Sequence, residues 1–468
     1  MLFFKIIINV TILIFIFKTV ELLWSVISFK LNYKKHYKQK TKFILNDDNY
    51  KGKVVLCVLL DHNVPDCNYI ADQYKDILQG YKNVHVIFIT NEQEEIEIKV
   101  KHNDEKTTRE EMNKYVEGIN QKLERRDAAM LIHYPYDNDN KGAMVDFAIK
   151  EFMLKYQTIE KISSYVGVFN GSSIVERAFI TRFEKTITRY NNPKVIEPVN
   201  IRISKSNKLN KVKQCLCYIH NEYETIRSIN KNIFWTNIKN ILHINRIIPY
   251  HCDFNGVLIR LDIFQEEEML GTAISYDSIV ANYYLKNADR QTMYSEIDSD
   301  VFDKTLDMDQ DLENEYLKYH NIKGQAKVVS KYRLLRGFRK PLLNFFFNFK
   351  MVYKSFTPYF VFISLMILTF GKALSLNLLY AFIISIYSYA LISLVVFRVK
   401  EKAYNNSLHA FKKMMMRVVA LILYPLYLVY RCNGFYDYVT KDMLFKKQKE
   451  LKRQKEKEKF IKKNELVK

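Results

Sequence analysis

The sequence predicts an α/β fold with a mostly parallel sheet, joined to transmembrane helices. Three observations predict it. Between residues 50 and 345, short β-rich apolar runs alternate with helix-like stretches. Residues 3–28 form an apolar run long enough for a bilayer span, which takes about 20 residues. Residues 357–397 return to the same membrane-like composition. Strands alternating with helices imply βαβ units, and βαβ units imply parallel pairing.

The elements follow in chain order. Residues 1–29 read as an N-terminal transmembrane anchor, with Lys18 and Glu21 near its far end where they can snorkel. A cleaved signal peptide is the competing reading, but no small-residue cleavage site follows the run. Residues 30–49 are a basic linker, which the positive-inside rule assigns to the cytoplasm. Residues 50–345 form the cytosolic domain. Its strands are expected at VVLCVLL (54–60), VHVIFIT (84–90), AAMLIHY (128–134) and YVGVFN (165–170). An amphipathic helix, DCNYIADQYKDILQGY, lies between the first two. Residues 352–398 read as a transmembrane hairpin broken at Gly371-Lys372-Ala373, with basic flanks on the cytoplasmic side. Residues 414–431 are a membrane or interfacial helix, interrupted by Arg417 and Pro425, and 432–468 are a basic cytosolic tail.

Composition narrows the function classes. The 468-residue chain has net charge +21, with 48% hydrophobic and 26% charged residues. That apolar fraction excludes a disordered chain, and 12 Gly with 8 Pro exclude collagen-like classes. Six Cys are too sparse for a disulfide scaffold, and the lone Cys215-x-Cys217 pair argues against structural zinc of the ribbon type. The positive charge crowds beside apolar runs, so its expected partner is anionic membrane lipid and not nucleic acid. The expected location is the cell membrane, inner or plasma, with the folded domain cytoplasmic.

Six short motifs could carry chemistry. In order they are VLLDHNVPD, VHVIFITNE, NKGAMVDFAI, YVGVFN-Gly-Ser-Ser, the pair HCDFNGVLIRLDIF and EEEMLGTAI, and SKYRLLRG. Taken singly, several also read as ordinary turns, helix caps or basic flanks. Their order and spacing resemble membrane-bound family 2 glycosyltransferases of the processive or lipid-acceptor kind. The resemblance covers roughly residues 50–340 and the apolar hairpin behind them. It implies a GT-A-like catalytic domain, a nucleotide-sugar donor and a lipid-linked or polysaccharide acceptor.

The resemblance also implies roles by position. His62, Asn63, Asn91, Lys141, Asn170 and Ser172 would surround the nucleotide sugar. Asn91 stands where the family commonly has Asp, and an amide can also pair with a base edge. Glu267, with Glu266 before it, would be the general base that takes the acceptor hydroxyl's proton. Lys331, Arg333 and Arg260 would face the leaving group and acceptor. A divalent cation, Mg2+ or Mn2+, is the family's cofactor. Its position here is Asn170 and Ser172, neutral oxygens where the family has the carboxylates of D-x-D. Those departures leave a second reading open: a catalytically impaired glycosyltransferase-like membrane scaffold or partner subunit.

Overall fold

The computed structural model describes residues 2–37, 52–60, 67–92, 95–96, 107–136, 141–171, 173–175, 177–204, 219, 234, 256–262, 290–301, 341, 345, 360–361, 363–367, 376–392, 415, 417–424 and 427. The chain divides into two compact units. One holds 1–42, 201–248 and 303–441; the other holds 43–200, 249–302 and 442–468.

The second unit is built on a mixed sheet of eight strands. In chain order it runs β1 (Val54–Leu59), α2 (Cys67–Gly80), β2 (Val84–Asn91), α3 (Thr108–Leu123), β3 (Ala129–Tyr134), α4 (Lys141–Lys155), β4 (Tyr165–Asn170), β5 (Ser173–Ile174), α5 (Arg177–Tyr190), β6 (Val195–Ser204), β7 (Leu258–Arg260) and β8 (Arg290–Val301). The strand order is β3-β2-β1-β4-β7-β6-β8-β5. The first four strands are parallel, with Leu59 level with Ile89 on one side and Asn170 on the other. Beyond β4 the sheet turns antiparallel: Gly167 faces Leu258, and Val195 faces Ile259. Antiparallel neighbours need no crossover helix, so this half lacks the alternating βαβ signature that makes the parallel half readable.

Every residue of β1 and β2 is buried, because helices cover both faces of the sheet. One face carries Val54, Leu56, Val58, Val86 and Phe88 against α2, α3 and α5. The other carries Val55, Cys57, Leu59, Ile87 and Ile89 against α4. This placement follows from handedness. The chain steps from β1 to β2 to β3 in one direction, then returns past β1 to β4. Right-handed crossovers therefore put α2 and α3 on one face and α4 on the other.

Local chemistry fixes the ends. Thr107 caps α3 through a capping box with Glu110. Asn120 near the end of α3 grips Ala129 twice, donating to its carbonyl at 2.8 Å and accepting from its N–H at 2.9 Å. Arg125 donates to the carbonyls of Leu78, Tyr81, Lys82 and Val84, closing the amino edge of the sheet. His85 is buried on that edge between Phe152 and Tyr156. Its Nε2 faces the Lys53 ammonium at 3.2 Å and so accepts, which leaves Nδ1 to donate to the Asp127 carbonyl at 2.9 Å. Burial, with the nearby Lys53 and Arg125 charges, pushes the imidazole down to about 4.

Two glycines are required where they stand. A Cβ on Gly167 would come within 3.0 Å of Phe169 and 3.2 Å of Leu56. Gly256 enters β7 at φ 83°, a left-handed conformation, and donates to the Val168 carbonyl.

In the first unit, α1 (Leu2–Tyr37) packs against α6 (Leu376–Leu391). Its buried residues Ile8, Phe15, Leu22 and Val26 form a single stripe, while Leu13, Ile16, Val20, Trp24 and Ile27 on its other sides are apolar and exposed. Phe15 meets Tyr389 edge-on at 6.0 Å, and the Thr11 hydroxyl lies 3.2 Å from that of Ser364. Tyr389 in turn neighbours Tyr424. Lys5–Ser28 is long and apolar enough to cross a membrane by length and composition.

Candidate functional site

In a doubly wound topology the crevice lies at the carboxyl edge of the parallel strands. Strand order reverses between β1 and β4, because β2 leaves β1 on one side and β4 joins it on the other. In doubly wound sheets ligands bind outside the carboxyl ends at that switch point. Here the edge is formed by Leu60 after β1, Asn91 at the end of β2, Tyr134 at the end of β3, and Asn170 followed by Gly171 at the end of β4. Gly171 donates to the Leu59 carbonyl at 2.7 Å, which carries the pairing one residue past the strand.

The structure brings three of the expected residues to this edge. Asn91 is buried, and its amide nitrogen points to the Met144 sulfur at 3.9 Å. Asn170 is half-buried on the same face of the sheet, two strands away, or roughly 10 Å at the usual strand spacing. Lys141 opens α4, so the first turn of that helix stands at the same edge. Beyond it, Asp146 is buried. Burial pushes its carboxyl above the usual range, and the Lys150 ammonium at 3.0 Å pulls the other way.

Arg260 is not brought there. It lies opposite Tyr165, the first residue of β4, which is about 16 Å along the strand from Asn170 at roughly 3.3 Å per residue. Its guanidinium is engaged with both oxygens of Asp262, at 2.8 and 2.7 Å, and with the Asn192 carbonyl at 2.8 Å. That geometry ties β7 to the turn before β6 at the amino edge. His62, Asn63, Ser172, Glu266, Glu267, Lys331 and Arg333 lie outside the described residues.

One group at the edge escaped the sequence analysis. Glu92 directly follows β2, Glu95 lies three residues further on, and His133 lies on β3. Their ligand atoms all lie within 4.8 Å of one another. Glu92 ends VHVIFITNE, Glu95 lies just beyond it, and His133 lies in AAMLIHY. Only the parallel pairing of Thr90 with His133 joins the two stretches, and a single strand does not reveal its partner's register.

No family model matches this chain, and no curated protein matches it. Among solved structures it is similar to the mannosyltransferase PcManGT from Pyrobaculum calidifontis, described in complex with GDP-Man and Mn2+. The identity is 10%, the TM-score 0.47, and the match covers 92% of this chain and 99% of that one. It is also similar to residues 1–349 of S. aureus TarS, at 9% identity and TM-score 0.38, over 82% of this chain and 91% of that one. Likenesses this distant assign no activity.

Proposed function

We propose that this chain is a membrane-bound inverting glycosyltransferase, moving a sugar from a nucleotide-sugar donor to a lipid-linked or polysaccharide acceptor. The observation that carries this reading is the switch point between β1 and β4. The motif-bearing segment at 61–66 and the Asn-Gly-Ser bend at 170–172 both leave strands at that point. Asn91 and Lys141 at the same edge add an amide and a helix N-terminus, which suit a base edge and a phosphate.

In this reading Glu267, supported by Glu266, removes the proton from the acceptor hydroxyl. The hydroxyl oxygen attacks the anomeric carbon from the face opposite the diphosphate. The new glycosidic C–O bond forms as the bond to the diphosphate oxygen breaks, and the nucleoside diphosphate leaves with the electron pair. Lys331 and Arg333 stabilise the departing charge. A tightly held Mg2+ or Mn2+ does not fit the bend, because the Asn170 amide and the Ser172 hydroxyl are neutral where a hard cation needs carboxylates.

The membrane assignment rests on the Lys5–Ser28 helix and the apolar stretches of 352–398 and 414–431, with anionic lipid meeting the basic 30–49 and 432–468 segments. It predicts that the protein stays in the membrane pellet after alkaline carbonate extraction; release into the supernatant rejects it. The enzymatic reading predicts that Glu267→Gln lowers sugar transfer at least 1,000-fold, on the scale of a lost general base together with misplaced attack, while donor binding changes little. Wild-type-like transfer by that variant rejects Glu267 as base. The neutral bend at 170–172 favours a second reading, an impaired scaffold or partner subunit. That reading predicts no transfer even by the wild-type chain and no donor binding by calorimetry.

A further inference from the structure

We propose that Glu92, Glu95 and His133 form a binding site for a divalent transition-metal ion of the Zn2+ class, at the same edge of the sheet as the donor crevice. The His133 Nε2 lies 2.9 Å from Glu92 Oε2 and 3.7 Å from Glu95 Oε2. Ligands about 2.0–2.1 Å from a tetrahedral ion stand roughly 3.3–3.4 Å apart. The two distances to His133 bracket that value, and all three ligand atoms lie within 4.8 Å of one another.

The chemistry of the three groups points to a cation. An imidazole Nε2 carries at most one hydrogen and serves one carboxylate, and Arg109 pairs with Glu95; a metal ion would draw all three ligands to one centre. The far nitrogen is held from behind, since His133 Nδ1 lies 3.1 Å from the Thr90 hydroxyl. That contact orients the ring and selects Nε2 as the ligand, as outer partners of metal-bound histidines do. One imidazole with two carboxylates suits Zn2+ better than Mg2+ or Ca2+, which prefer all-oxygen sites. His133 and Glu95 are each 13% exposed and Glu92 is 39% exposed, so the cluster is sheltered yet open on the Glu92 side to an entering ion. Arg109, 3.6 Å from Glu95, balances the carboxylate charge.

His133 shares a sheet face with Thr90 and Leu131, against α2 and α3, whereas Asn91 faces Met144 on α4. His133 is three strands from β4, or about 14 Å, while Glu92 directly follows Asn91 at the end of β2. The ion would pin the turn after β2 to β3.

The test uses the full-length chain in detergent, stripped with a chelator and then titrated calorimetrically with Zn2+. A parallel titration with Co2+ reads the ligand field by visible absorption. The expected result is an ion with nitrogen–oxygen ligation whose affinity falls at least 100-fold in Glu92→Gln/Glu95→Gln. It should fall about tenfold in Thr90→Val, which leaves all three ligands in place. Absence of Zn2+ binding by the wild-type chain, or affinity unchanged in both variants, overturns the proposal. Neither arm measures sugar transfer, so the result is independent of the enzymatic reading.

Discussion

His85 shows how one side chain can make the whole fold sensitive to acid. The folded chain holds it neutral, because its Nε2 accepts from Lys53 and its surroundings are apolar rings. Its pKa is about 4 in the fold against 6.5 for the exposed group. Between those values the unfolded chain binds more protons than the folded one, so stability rises with pH. The contribution is fully present above about pH 6.5 and is lost as pH falls to about 4, by roughly 3 kcal/mol. Urea unfolding between pH 7 and pH 4 measures the slope, and His85→Gln is expected to flatten it. An equal slope in that variant rejects the assignment. At this same scale the sequence was only half legible. The motif HCDFNGVLIRLDIF, marked by resemblance, contains Gly256, Ile259, Arg260 and Asp262. Their physical roles are a left-handed turn, a core contact and an ion pair. Arg260 could not be separated from a ligand-binding arginine until its partner on the Asn192 turn was known.

At the scale of elements, the parallel half of the sheet was readable because burial on both faces demands continuous apolar runs, and β1 and β2 are such runs. The helix between them was equally plain, since Ile70, Tyr74, Ile77 and Leu78 recur at helical spacing. The antiparallel extension was not readable. β7 is three residues and β5 two, too short for any period to emerge. α3 offers the test proper to this scale. Thr107 and Glu110 each satisfy an N–H at its start. Thr107→Ala is expected to cost about 1 kcal/mol, measured as a lower urea midpoint with unchanged slope. No shift would mean that packing of Met112, Val116 and Ile119 holds the helix without its cap.

At the scale of the molecule, function depends on which edge of the sheet is used. Polar chemistry gathers at both edges. The amino edge is closed by Arg125, His85 and the Arg260–Asp262 pair, all tied to backbone or to each other. At the carboxyl edge the strands end in Asn91 and Asn170 beside the start of α4, at the topological switch. Composition and motif order pointed to the second edge, because parallel strands feed their following loops there. They could not show which motif residues return to it from later in the chain. Photoaffinity labelling with azido-nucleotide sugars of both uridine and guanosine type, followed by peptide mapping, tests the central claim most directly. Label on the peptides containing residues 61–66, 91 or 170–173 is the predicted result. Label confined to the amino edge, around His85, Arg125 or Arg260, would contradict it.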